Sequence, residues 1–141
     1  MEVKQPQTYH DLDVYRLAFA LGVQCHKASM KLPKYELWEE GSQLRRSAKA
    51  VGAMIAEGFG RRNYKADFIR YLTYAQGELN EATHHLQMLL QTGAMEAEVG
   101  KGLLAQADEL GRKLHRFMEA VGRGHRTQRP QPGGAGEAEQ S

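Results

Sequence analysis

Glu81 and His84 form a Glu-x-x-His element, the spacing with which di-iron bundles offer a carboxylate and an imidazole to one metal. That chemistry needs a second such element, two further glutamates and every ligand on the core-facing side. The chain has no second Glu-x-x-His. Leu79, Ala82 and Leu86 mark the apolar line of this segment and leave Glu81 and His84 beside it. Glu81 stands four residues before His85, a spacing that suits a weak surface pair. Cys25 and His26 are neighbours in sequence, so a helix points them in different directions. Zinc needs more ligands than this pair supplies, and nucleophilic catalysis needs the two groups to meet. Cys25 reads as a small buried residue. His84-His85 has no third ligand at a recognisable spacing. "GFGRR" at 58–62 follows a helical segment rather than a strand and lacks the Gly-Lys-Ser/Thr of a phosphate loop. The expectation is a non-enzyme without metal or cofactor.

The basic residues are the more informative set. Arg45 and Lys49 lie four apart on one helix face, with Arg46 beside them. Arg61, Arg62 and Lys65 occupy a turn, and Arg70 follows it, interleaved with Tyr64, Phe68 and Tyr71. Arginines suit phosphate contacts, and an exposed tyrosine offers a stacking face for a base. Phe68 is expected in the core. The same arginines could instead pair with Glu57, Asp67 or Glu78, or face a neighbouring subunit. A second cluster holds Arg112, Lys113 and Arg116 and continues through Arg123, Arg126 and Arg129.

Charge is unevenly placed. The formal net charge is +2, yet residues 44–71 carry a net +5, residues 112–129 another +5, and residues 72–111 a net −5. Separated poles suggest oriented docking, on another copy or on a polyanion.

These residues need elements to hold them. A length of 141 residues and 41% hydrophobic content suit one globular domain with a packed core. Few prolines and few β-branched residues point to helix. No apolar run approaches a membrane span, and "MEVKQPQTYHDLD" lacks the pattern of a secretory signal. With a lone cysteine, these features suggest a cytoplasmic protein without membrane contact.

Four segments carry helical periodicity. The third is the most regular: Phe68, Leu72, Ala75, Leu79, Ala82, Leu86 and Leu89 alternate steps of four and three. The second runs Leu37, Gly41, Leu44, Ala48, Val51, Ile55. The fourth runs Leu103, Ala107, Leu110, Leu114, Phe117, Val121. The first has two stripes, Leu12, Tyr15, Phe19, Val23, His26 and Val14, Leu17, Leu21, Cys25, so burial on two sides is expected. Asp11 or Asp13 is expected to cap the first helix. Pro33 ends it. Gly58 and Gly60 are expected to end the second helix, by their tolerance of the left-handed region, and Asn63 to cap the third. Ser47, Ala48, Ala50, Gly52, Ala53 and Ala56 allow close approach, within the chain or between subunits. Short connections imply an all-α, antiparallel up-down-up-down four-helix bundle over residues 1–121. Residues 122–141, poor in hydrophobics and rich in Gly, Pro and Gln, are expected to be a disordered tail.

"DLDVYRLAFAL" (11–21), "LPKYELWEEGSQLRRSA" (32–48) and "IAEGFGRRNYKADFIRYLTYAQGELNEATHHL" (55–86) resemble the four-helix-bundle protein family first noticed in intervening sequences of 23S ribosomal RNA genes. Ile55-Ala56-Glu57-Gly58 followed by Gly60-Arg61-Arg62 is the most specific part. The resemblance implies a left-handed antiparallel bundle assembled as a homopentameric ring, with nucleic-acid binding suspected. A related branch is the accessory protein of diversity-generating retroelements, whose ring binds a reverse transcriptase and template RNA. The family pattern has Pro and Asn where this chain has Gly52 and Met54. That departure removes a kink signal and a polar side chain, and points to a specialised branch. The reading that follows is a non-catalytic, ring-forming, nucleic-acid-binding bundle. RNA is favoured over DNA, and a reverse transcriptase is a candidate partner. Arg45, Arg46, Lys49, Arg61, Arg62, Lys65, Arg70, Arg112 and Arg116 would contact phosphates. The alternative is a structural module whose basic face serves subunit or partner contacts.

Overall fold

The structure, a computed structural model, describes residues 5–124. The expected tail lies outside them, apart from its first three positions. Those continue the last helix, so the helical domain runs past residue 121.

A 3-10 turn, Tyr9–Asp11, leads into α1 (Asp13–Ser29). A single-turn α2 (Lys34–Leu37) precedes α3 (Glu40–Gly60), α4 (Lys65–Gln91) and α5 (Ala97–Gly124). No strand occurs among the described residues. The four long helices pack in a cycle, α1 on α3, α3 on α4, α4 on α5 and α5 on α1. Short links between successive neighbours make this an all-helical four-helix bundle.

The core forms where the periodicity places it. All seven seam residues of α4, from Phe68 to Leu89, are buried. On α3 the buried line is Gly41, Leu44, Ala48, Val51 and Ile55. Leu37 belongs to α2 instead and is half-buried. On α5, Leu103, Ala107, Leu110, Leu114 and Val121 are buried, and Phe117 packs against the cluster. On α1 only one stripe goes inside. Val14, Ala18, Leu21 and Cys25 are buried, whereas Phe19 is 60% exposed. The expected burial of α1 on two sides does not occur within one chain, because α3 and α5 cover only its inner face.

Helix ends depend less on side-chain caps than the sequence suggests. Neither Asp11 nor Asp13 caps α1. Leu12 is its N-cap, without a side-chain bond. Asp11 instead accepts from the Gln7 and Thr8 backbone N–H groups, and Asp13 pairs with Arg16. Asn63 does not cap α4 either. Extended Tyr64 is the N-cap. Gly58 and Gly60 lie inside α3, and neither has positive φ. α3 closes by tightening, with Arg61 N–H donating to the Gly58 carbonyl and Arg62 N–H to that of Phe59. Gly58 is there for space. A Cβ on it would lie 3.0 Å from the Tyr71 Cβ and 3.4 Å from the Phe68 ring. Among the described residues, the one glycine with positive φ is Gly93, at +75°. There Ala94 N–H donates to the Leu89 carbonyl and Gly93 N–H to that of Leu90, a Schellman ending for α4.

α1 and α3 approach closely over Gly22 and Gly52. A Cβ on Gly22 would lie 3.5 Å from the Ala48 carbonyl, and one on Gly52 would lie 3.5 Å from the Tyr15 ring. Ser47, Ala48 and Gly52 are therefore buried within the chain, while Ala53 remains exposed.

Candidate nucleic-acid interface

The corner between α3 and α4 gathers four of the nine expected contact residues. Arg61 caps α3, donates to Glu57 Oε2 at 3.1 Å and stands 3.6 Å from Asp67 Oδ2. Its guanidinium lies 4.9 Å from the centre of the Tyr71 ring. The hydrogen bond to Glu57, helped by Tyr71 and Asp67, pushes its pKa upward. Arg70 meets the same two residues, with a 3.0 Å bond to Asp67 Oδ1 and 5.5 Å to the Tyr71 ring centre. Asp67 and Tyr71 thus hold two guanidinium groups side by side. Arg62 lies 4.0 Å over the Phe59 ring and donates to the Phe59 carbonyl. Lys65 has no ion-pair partner among the described residues. The corner thus carries four cations and two carboxylates, Glu57 and Asp67, and the carboxylates pair with Arg61 and Arg70. Tyr74, half-exposed, meets Tyr71 edge to face.

The residues earlier on α3 do different work. Arg45 turns inward. Its two terminal nitrogens donate to Ser29 Oγ and to the Leu37 carbonyl, each at 2.9 Å, and so clasp the end of α1 and α2 to α3. Arg46 bonds Glu81 and stands 3.7 Å from Glu78 Oε1, joining α3 to α4. Lys49 is exposed and without an ion-pair partner among the described residues. On α5, Arg112 pairs with Asp108, and Arg116 is exposed and unpaired among the described residues. Both line a cleft of about 660 Å³ between α4 and α5, with Asn80, Thr83 and Gln87 opposite. The corner and this cleft are separate sites.

The residues weighed for catalysis stand apart. His84 is exposed, and Glu81 is taken by Arg46. His85 is 9% exposed rather than a surface group. Its Nδ1–H donates to Glu40 Oε1 at 2.7 Å, and its Nε2 is 3.7 Å from Glu81. Glu40 is 45 residues away, and no local pattern marks that partnership. Among the described residues, no group of three His, Cys, Asp or Glu side chains could hold a metal ion. Cys25 is buried, and desolvation pushes its thiol up to about 12. No described helix is long and apolar enough to cross a membrane.

Fold and surface together define a helical bundle with a basic, tyrosine-lined corner. The chain belongs to the 23S rRNA-intervening sequence protein family, whose pattern matches residues 10–116. Its fold is similar to that of a protein of unknown function from the S23 ribosomal protein family of Bacteroides thetaiotaomicron. The two share 23% identity and a TM-score of 0.67, over 75% of this chain and 98% of that one. No curated protein matches the chain.

Proposed function

We propose that this protein is a non-catalytic, self-assembling bundle that binds nucleic acid, RNA in preference to DNA, at the α3–α4 corner. The observation that carries the reading is the grouping of Arg61, Arg62, Lys65 and Arg70 at one helix corner, two of them held on Tyr71, with only two carboxylates among them. Surface ion pairs such as Arg61–Glu57 are worth little, so a phosphate can replace a carboxylate at modest cost. The shared hold of Asp67 and Tyr71 keeps two planar donors oriented for bidentate contact. Tyr74 supplies a stacking face beside them. Lys49, Arg112 and Arg116 extend the basic surface, and Arg45 and Arg46 brace the helices that carry it. The family resemblance suggests the assembly, a pentameric ring, and a partner, the reverse transcriptase of a diversity-generating retroelement.

The test is a filter-binding titration with single-stranded RNA at increasing salt. Four phosphate contacts give a slope of log affinity on log salt of about −3. Retention at low salt that is lost on Arg61→Glu/Arg62→Glu supports the reading. No retention of RNA or DNA at low salt overturns it.

A second reading, a module for protein contacts, is favoured by a different observation, the uncovered face of α1.

A further inference from the structure

Between α1 and α3 runs an apolar groove of about 480 Å³. Its floor is the glycine crossing of Gly22 and Gly52, and Tyr15, Phe19, Val23 and Ala53 form its walls. It follows the Tyr15, Phe19 and Val23 stripe of α1, where Phe19 stays 60% exposed and Tyr15 and Val23 are half-buried. Lys27 and Lys49 stand on its rim. The most exposed large apolar side chains of the described residues lie elsewhere, at the α2 link. They are Tyr35 at 70% and Trp38 at 71%, set among Glu36 and Glu39.

We infer that Trp38 of one copy seats in the α1–α3 groove of a second copy. This rests on the self-assembly half of the proposed function and not on nucleic-acid binding. Three observations favour that occupant. First, the two surfaces match in kind, since an exposed indole needs an apolar slot and the groove is wide enough for a whole aromatic side chain. Second, Glu36 and Glu39, which flank Trp38 with Lys34 just before them, can pair with Lys27 and Lys49 on the groove's rim, a contact that fixes orientation. Third, residues 125–141, outside the described residues, contain no large hydrophobic side chain, so that stretch offers no apolar group to the groove. Within its own chain Trp38 is held at the link. Its carbonyl accepts from Ser42 Oγ at 3.0 Å, and the Arg45 guanidinium lies 5.7 Å from its ring centre. The groove does not include it.

Trp38 is the sole tryptophan, so its fluorescence reports this contact directly. The experiment follows emission and sedimentation of the full chain over a dilution series. Assembled protein is expected to emit at shorter wavelength and to shift red as it dissociates. Phe19→Glu, a change at an exposed site, should keep the helical circular dichroism, dissociate the assembly and shift Trp38 emission red without touching Trp38. Trp38→Ala should dissociate it as well. Mixing the two variants restores one intact knob and one intact groove, and should yield a 1:1 complex from two monomers. Wild-type protein that sediments as a single chain overturns both this inference and the self-assembly reading, and leaves RNA retention to be judged alone. An assembly that survives Phe19→Glu overturns only this inference. So does a Trp38 emission that ignores dilution, or a mixture that stays monomeric.

Discussion

Arg61 stands over the face of Tyr71, 4.9 Å from the ring centre, and the ring belongs to the helix that follows the turn rather than the one Arg61 caps. The corner is therefore tied across the turn by a contact of the cation–π kind. On the proposed function, removing Arg61 takes away one phosphate donor as well as this tie. Arg61→Gln is expected to weaken RNA retention severalfold and to reduce the salt slope by about 0.7. A filter-binding salt series on wild type and variant measures both. An unchanged slope would show that Arg61 does not meet phosphate.

The Glu40–His85 bond fastens the start of α3 to the last third of α4. Glu40→Ala leaves a buried ring N–H without its acceptor, which costs about 1–3 kcal/mol. Urea denaturation should show a lower midpoint with an unchanged slope. The RNA titration of the folded variant should match wild type, since the bond is remote from the corner.

Two glycines in helices should respond in opposite directions to the same methyl group. A Cβ on Gly41 would lie 2.9 Å from the Glu36 carbonyl oxygen and 3.3 Å from Arg45, so Gly41→Ala must displace the α2 link, at a cost of about 1–3 kcal/mol. Gly77 has nothing within 4 Å of its Cβ position and sits in mid-α4, so Gly77→Ala should stabilise by about 1 kcal/mol. Thermal melts of the two variants should move apart from wild type in opposite directions.

Cys25 should resist iodoacetamide at pH 8–9 in the native protein and react once the chain unfolds. Burial holds the native thiol neutral up to about 12, against an ordinary value of 9.0. The raised native value contributes stability fully below pH 9, and that contribution fades as pH climbs from 9 toward 12. Alkylation followed by mass spectrometry, with and without denaturant, checks the first point. Rapid labelling of native protein at pH 8 would contradict the burial.

The inward edges of α3, α4 and α5 were legible because helical period is a local property. Seven residues from Phe68 to Leu89 declare one face, and all seven are buried. The choice between the two stripes of α1 was not legible, since which one the neighbours cover depends on where α3 and α5 stand. Gly58 shows the same limit from another side. A glycine near a helix end looks alike in sequence whether it is needed for left-handed backbone or for the missing Cβ. Only the position of Tyr71 decides between them. For the basic set, the sequence allowed both phosphate contact and pairing with Glu57, Asp67 or Glu78. The structure forms those pairs, adds Glu81, and turns Arg45 inward. The inward turn had no signal, because its acceptors are a serine 16 residues earlier and a backbone carbonyl.

Gly58 makes the corner's chemistry a property of its interior. Tyr71 rests against a bare Cα, and the two guanidinium groups take their positions from Tyr71 and Asp67. A descendant of this sequence could keep every arginine, gain a single buried methyl at position 58, and present the same charge at the wrong places. The places of the corner's charges are thus set from beneath the surface, at a residue that carries no charge itself.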